Sequence, residues 1–91
     1  DPAVQLDAVR YLQLSGRVED RQLLHELYGS AKDADVKGRL VDALFAAGDA
    51  KSLVDLARKE TDVAMRKRIV ERLSTMRAKE ASDYMLEIIG K

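Results

Sequence analysis

Three twelve-residue segments of the chain follow one stencil, and no other feature of the sequence constrains the fold as tightly. They are 1-DPAVQLDAVRYL-12, 33-DADVKGRLVDAL-44 and 62-DVAMRKRIVERL-73. The shared pattern is D-x-x-[VM]-[QKR]-x-x-[ALI]-V-x-x-L, with starts 32 and then 29 residues apart. A pattern that holds register three times marks a repeat architecture, in which each unit buries its apolar face against its neighbours.

Each copy reads as a helix. In the third, Met65, Ile69, Leu73 and Met76 fall at i, i+4, i+8 and i+11 with Val70 on the flank, which is one apolar face at helical period. Asp1, Asp33 and Asp62 stand at the N-cap, where a carboxylate accepts from free backbone N–H groups and meets the positive end of the helix dipole. Pro2 suits the first helical position. A second helix follows in each unit, with apolar triples Leu24, Leu27, Tyr28, then Leu53, Leu56, Ala57, then Met85, Ile88, Ile89. Gly16 and Gly48 fall where a left-handed residue ends a helix, and Gly29 is expected to end the second helix. The reading predicts six helices, at about 2–14, 20–29, 34–47, 50–60, 63–76 and 79–90. Aromatics are only 4% of the chain, so aliphatic side chains must fill the core, which favours helix packing over sheet.

The segment 33-DADVKGRLVDALFAAGDAKSLVDLARKE-60 opens a helix with D-x-x-V-[KR], continues to a G-D-A turn and closes with a second helix of the form L-x-x-L. It resembles HEAT repeats, most closely the short bacterial HEAT-like kind. Two departures stand out: Gln5 replaces the basic residue in the first copy, and Arg77 replaces the turn glycine in the third. The resemblance covers the whole chain and implies an all-α fold. Three helical hairpins, at about 1–32, 33–61 and 62–91, would stack as a right-handed solenoid with the second helices lining its concave, partner-binding side. It also implies a non-enzymatic protein-interaction scaffold. The alternatives are a nucleic-acid-binding module using the basic third repeat, and a regulatory or docking segment of a larger enzyme, for which HEAT-like bilin lyases give a precedent.

The cations Arg66, Lys67, Arg68 and Arg72 crowd the third copy, yet the chain has 16 basic and 16 acidic residues. A dedicated nucleic-acid module would show a basic excess, so a nucleic-acid partner is not expected. On a helical wheel the four spread around the helix. Arg66 shares a column with Gln5 and Lys37, where a long side chain can lie along a repeat junction. Arg68 belongs to a series of i, i+3 charge pairs: Asp7 with Arg10, Arg39 with Asp42, Arg68 with Glu71. Neighbouring repeats would set Asp7 opposite Arg39 and Arg10 opposite Asp42. Lys67, Arg72, Ser74 and Thr75 make the third copy polar where the second is apolar or small, as a terminal unit's outer face requires. The array is therefore expected to end near Lys91, with further repeats before Asp1 and self-association through exposed end repeats.

No catalytic apparatus is expected. The chain has one histidine, His25, and no cysteine, and it shows neither a nucleophile elbow nor a glycine-rich phosphate loop. No cofactor or metal is expected either. The candidate partner-binding residues are Glu26, Asp55 and Glu87, at equivalent places on the three second helices. They would form an acidic ladder for a basic or extended peptide. A protein or peptide partner is the expectation, and no apolar run is long enough for a membrane span.

Overall fold

The computed structural model describes residues 1–90, which form six helices and no strand. These are α1 (Pro2–Ser15), α2 (Val18–Ser30), α3 (Ala34–Ala46), α4 (Ala50–Lys59), α5 (Val63–Ser74) and α6 (Lys79–Ile89). No helix is long and apolar enough to cross a membrane.

The starts are set by the expected caps. Asp1 accepts from the Ala3 N–H at 3.0 Å, Asp33 from Asp35 and Val36 at 2.9 and 3.1 Å, and Asp62 from Met65 at 2.8 Å. Asp49 adds a fourth cap, taking the Ser52 N–H at 3.1 Å and its hydroxyl at 2.7 Å. Each such cap satisfies a backbone donor and contributes about 1 kcal/mol. Gly16 (φ 67°) ends α1, and Gly48 (φ 72°) turns the chain between α3 and α4. Gly29 does not end α2. The helix runs on to Ser30, and the extended backbone of Ala31 stops it.

Each helix packs on the next one or two in the chain: α1 on α2 and α3, α2 on α3, α3 on α4 and α5, α4 on α5 and α6, α5 on α6. Helix α3 is the centre, burying Val36, Gly38, Leu40, Val41, Ala43 and Leu44. At about 1.5–3 kcal/mol per large aliphatic side chain, burial in α3, α4 and α5 dominates the stability. The expected stripes Met65–Ile69–Leu73 and Leu53–Leu56–Ala57 are buried, as are Leu24 and Tyr28.

Helix α6 departs from its expected face. Ala81 and Tyr84 are buried, Met85 is half-buried and Ile89 is exposed. Apolar residues occur nearly all round α6, so periodicity leaves several stripes open. Seating the large Tyr84 ring selects one a residue away from that expected.

The turn between α1 and α2 carries a polar knot. Asp20 is buried and accepts from the Ser15 hydroxyl and from Arg17 Nε at 3.0 Å. The Ser15 bond, then the Arg17 bond, holds its carboxyl below the ordinary range.

The charge pairs also differ from expectation. None of the three i, i+3 pairs forms among the described residues, nor does Asp7 meet Arg39 or Arg10 meet Asp42. Arg68 reaches across to Asp42 on α3 at 2.9 Å, and Arg72 bonds the other oxygen of the same carboxylate at 3.0 Å. The Arg72 guanidinium also stacks on the Phe45 ring, 5.0 Å from its centroid. Gly38 makes room for this bridge, because a Cβ there would lie 2.6 Å from the Arg68 guanidinium. Arg72 therefore turns inward to α3 and is not part of a polar outer face. Lys67, Ser74 and Thr75 are exposed, but so are the apolar Leu86 and Ile89.

Candidate binding surface

Helices α2 and α4 define an open groove in two adjoining parts of about 470 and 500 Å³, with His25 and Asp55 lining both. The placement follows from the helical stencil. Leu24 and Tyr28 turn inward from α2, and Leu53, Leu56 and Ala57 from α4, which leaves the polar residues beside them on the groove walls.

At the first end sits a connected polar cluster. The Tyr28 hydroxyl donates to Glu60 Oε1, Lys37 Nζ reaches the same oxygen at 3.2 Å, and the Asp62 N–H donates to Oε2 at 3.0 Å. Lys37 also lies over the Tyr28 ring, 5.2 Å from its centroid. Burial works to raise the Glu60 pKa. The bonds from Tyr28, the Asp62 N–H and Lys37 outweigh it and hold the carboxyl below its ordinary value. Burial, reinforced by Glu60, pushes the Tyr28 phenol well above its own ordinary value. The cluster is therefore an ionised carboxylate under a neutral phenol, pinned by one ammonium group.

In the middle, His25 Nε2 lies 2.8 Å from Asp55 Oδ2, and Lys59 Nζ reaches the same oxygen at 3.1 Å. Partial burial opposes ionisation of Asp55, but Lys59 and His25 together lower its pKa. The far part is lined by Arg21, Lys51 and Asp49 with Val18 and Gln22. The groove thus alternates charge along its length and has no net acidic or basic character.

The three candidate acids are not equivalent here. Glu26 lines the groove and makes no side-chain ion pair or hydrogen bond among the described residues. Asp55 is held between His25 and Lys59. Glu87 lies on α6 and takes a two-pronged bond from Arg58 of α4, at 2.6 and 2.9 Å. Arg58 in turn lies over the buried Tyr84 ring at 5.2 Å. Arg66 opens onto that neighbouring pocket with Arg58, Tyr84, Glu87 and Ile88, while Lys37 fills the matching junction role one stencil earlier. The bridges His25–Asp55 and Arg58–Glu87 span about 30 residues of sequence. Neither leaves a local spacing to find, although Glu60, Tyr28 and Lys37 could have been suspected as polar residues on otherwise apolar faces.

Chemically, the groove offers both donors and acceptors, a tyrosine-backed cation and one free carboxylate. No group of three or more His, Asp or Glu side chains among the described residues could hold a metal ion. The arrangement defines an all-helical protein with a shallow mixed-charge groove. Comparisons with protein-family models, curated proteins and solved structures give no match.

Proposed function

We propose that the chain is a protein-interaction scaffold of HEAT-like design, whose α2–α4 groove takes an extended polypeptide segment. The observation that carries this reading is the continuity of the two groove parts across His25 and Asp55. A shallow trough of alternating charge suits a peptide backbone with side chains of both signs. Helix contacts that step two helices along the chain, α1 on α3, α3 on α5 and α4 on α6, support a stacked-hairpin solenoid. In such a stack α2, α4 and α6 share one side, so Glu26, Asp55 and Glu87 remain the proposed partner-facing positions. Glu26 is the free acceptor, and the other two meet a partner together with their bound cations. The single uncommitted acid favours a partner of mixed charge over a strongly basic one.

A peptide-display library selected against the 91-residue chain tests this. Selected peptides should carry both acidic and basic residues and bind about tenfold more weakly to Glu26→Lys and to His25→Ala. Peptides whose binding ignores both substitutions would overturn the groove as the site.

A further inference from the structure

One junction between helices is completed by a carboxylate of the chain, and its counterpart is not. In the first, Lys37 near the start of α3 meets Glu60 at the end of α4 and lies over the Tyr28 ring of α2. Arg66 takes the place of Lys37 at the start of α5, each standing four residues after a capping aspartate. Burial aligns α4 with α6, Leu53 and Leu56 matching Ala81 and Tyr84. Glu60 lies four residues beyond Leu56, and Ile88 lies four beyond Tyr84. The place of the carboxylate is thus held by an aliphatic side chain, which cannot neutralise Arg66.

An open pocket of about 400 Å³ lies at this second junction, lined by Arg58, Arg66, Tyr84, Glu87 and Ile88. Its walls come from α4, α5 and α6, which all pack on one another. Arg58 is committed, since its two N–H groups hold both oxygens of Glu87 and it lies over the Tyr84 ring. Asp62, one turn before Arg66, is turned to its cap and accepts the Met65 N–H. Arg66 makes no hydrogen bond or ion pair among the described residues. The walls carry two cations and one carboxylate, so one positive charge is unmatched. A second group at the same junction also lacks an acceptor. Tyr84 is buried, and its hydroxyl bonds no partner among the described residues, although buried polar groups are ordinarily paired. Ile88 is exposed on the same wall and gives the pocket an apolar side.

We infer that this α4–α5–α6 pocket binds a carboxylate carried on a small apolar group, the acid pairing with Arg66 and the apolar group lying on Ile88. The Arg66 guanidinium offers parallel N–H donors that match the two oxygens of a carboxylate. The completed junction shows the same chemistry within the chain, with Lys37 Nζ 3.2 Å from Glu60 Oε1. Such a ligand occurs as a free aliphatic acid and as the C-terminal residue of a polypeptide ending in an apolar side chain. The inference stands apart from the α2–α4 groove, which shares none of these five residues.

The test follows backbone amide NMR shifts of the 91-residue chain during titration with isovalerate, with N-acetyl-glycyl-leucine and with the C-terminal amide of that peptide. The acids should shift the amides around Arg66 and Ile88 saturably, with a Kd on the order of 1–10 mM, and the amide should not. Tighter binding of the peptide would assign the site to a chain terminus, and tighter binding of isovalerate to a free acid. Arg66→Gln should weaken binding at least about tenfold. Ile88→Glu should do the same, by supplying the carboxylate from α6 as Glu60 does from α4. Both positions are exposed, so circular dichroism should show unchanged helix content. Three results would overturn the inference: no saturable shift by either acid at about 100 mM, binding unchanged by either substitution, or inorganic phosphate binding as tightly as the acids. The last would mark a bare cationic surface.

Discussion

Helices α1 and α3 are written from the same stencil and end in different circumstances. Of the thirteen residues of α3, six are buried, while the fourteen of α1 bury only Val9. Both begin with a capping aspartate, and both carry a valine and a small or aliphatic residue at matching places. Their stabilities nonetheless have different sources, because α3 is packed by four helices and α1 by two. A repeat stencil therefore specifies which side chains can be core. The number of helices packed against each copy decides which of them are.

The sharpest way to break this comparison is to make identical changes in one column. Leu40→Ala should cost about 3 kcal/mol, and Val36→Ala about 2 kcal/mol, through lost burial and the cavity left behind. Val4→Ala, the same substitution in the same column, should change stability by less than about 0.5 kcal/mol. Denaturant melts of dilute protein would measure all three. Equal losses for Val36→Ala and Val4→Ala would show that α1 is as well covered as α3.

The next effect concerns the Tyr28–Lys37–Glu60 cluster, which ties α2 and α3 to the end of α4. Tyr28→Phe should cost about 1.5–3 kcal/mol, as expected for a hydrogen bond to a charged group. Glu60, Asp55 and Asp20 all have lowered folded-state pKa values. The unfolded chain therefore binds protons more readily, so their contribution is complete above the ordinary carboxylate range. It fades as pH falls through that range and then through the folded values. Thermal melts should show the midpoint falling with pH below about 5, and Glu60→Gln should make that fall shallower.

The smallest effects lie at the caps. Asp62→Ala and Asp33→Ala should each cost about 1 kcal/mol, and Asp1→Ala only a few tenths, roughly, because α1 contributes little burial to lose. Thermal unfolding of the three variants side by side would rank them. A loss at Asp1 equal to that at Asp33 would again place α1 on the same footing as α3.

Much of the fold was legible because helix periodicity and capping are local. The six helices, three aspartate caps, the turn glycines at 16 and 48 and the stripes of α4 and α5 follow from spacing alone. Three features did not, and two of them turned on tertiary contact. The face of α6 depends on where the Tyr84 ring seats against α4 and α5. Gly29 is carried inside α2 because the chain beyond it stays helical to Ser30. Arg68 and Arg72 choose Asp42 on the neighbouring helix over Glu71 on their own, since that carboxylate can take both and Phe45 offers a ring beside it. The candidate surface was read less fully. The column of Glu26, Asp55 and Glu87 is legible, as is Lys59 four residues from Asp55 on α4, but His25 reaches Asp55 from α2 and Arg58 reaches Glu87 from α4 only through packing between helices.

The central claim, that one stencil yields a covered α3 and an open α1, is tested most directly by amide hydrogen exchange resolved along the chain at low micromolar concentration. Amides of α3 from Gly38 to Leu44 should exchange last, close to the rate of global unfolding, and those of α1 should exchange orders of magnitude sooner through local opening. Protection of α1 equal to that of α3 under these dilute conditions would contradict it.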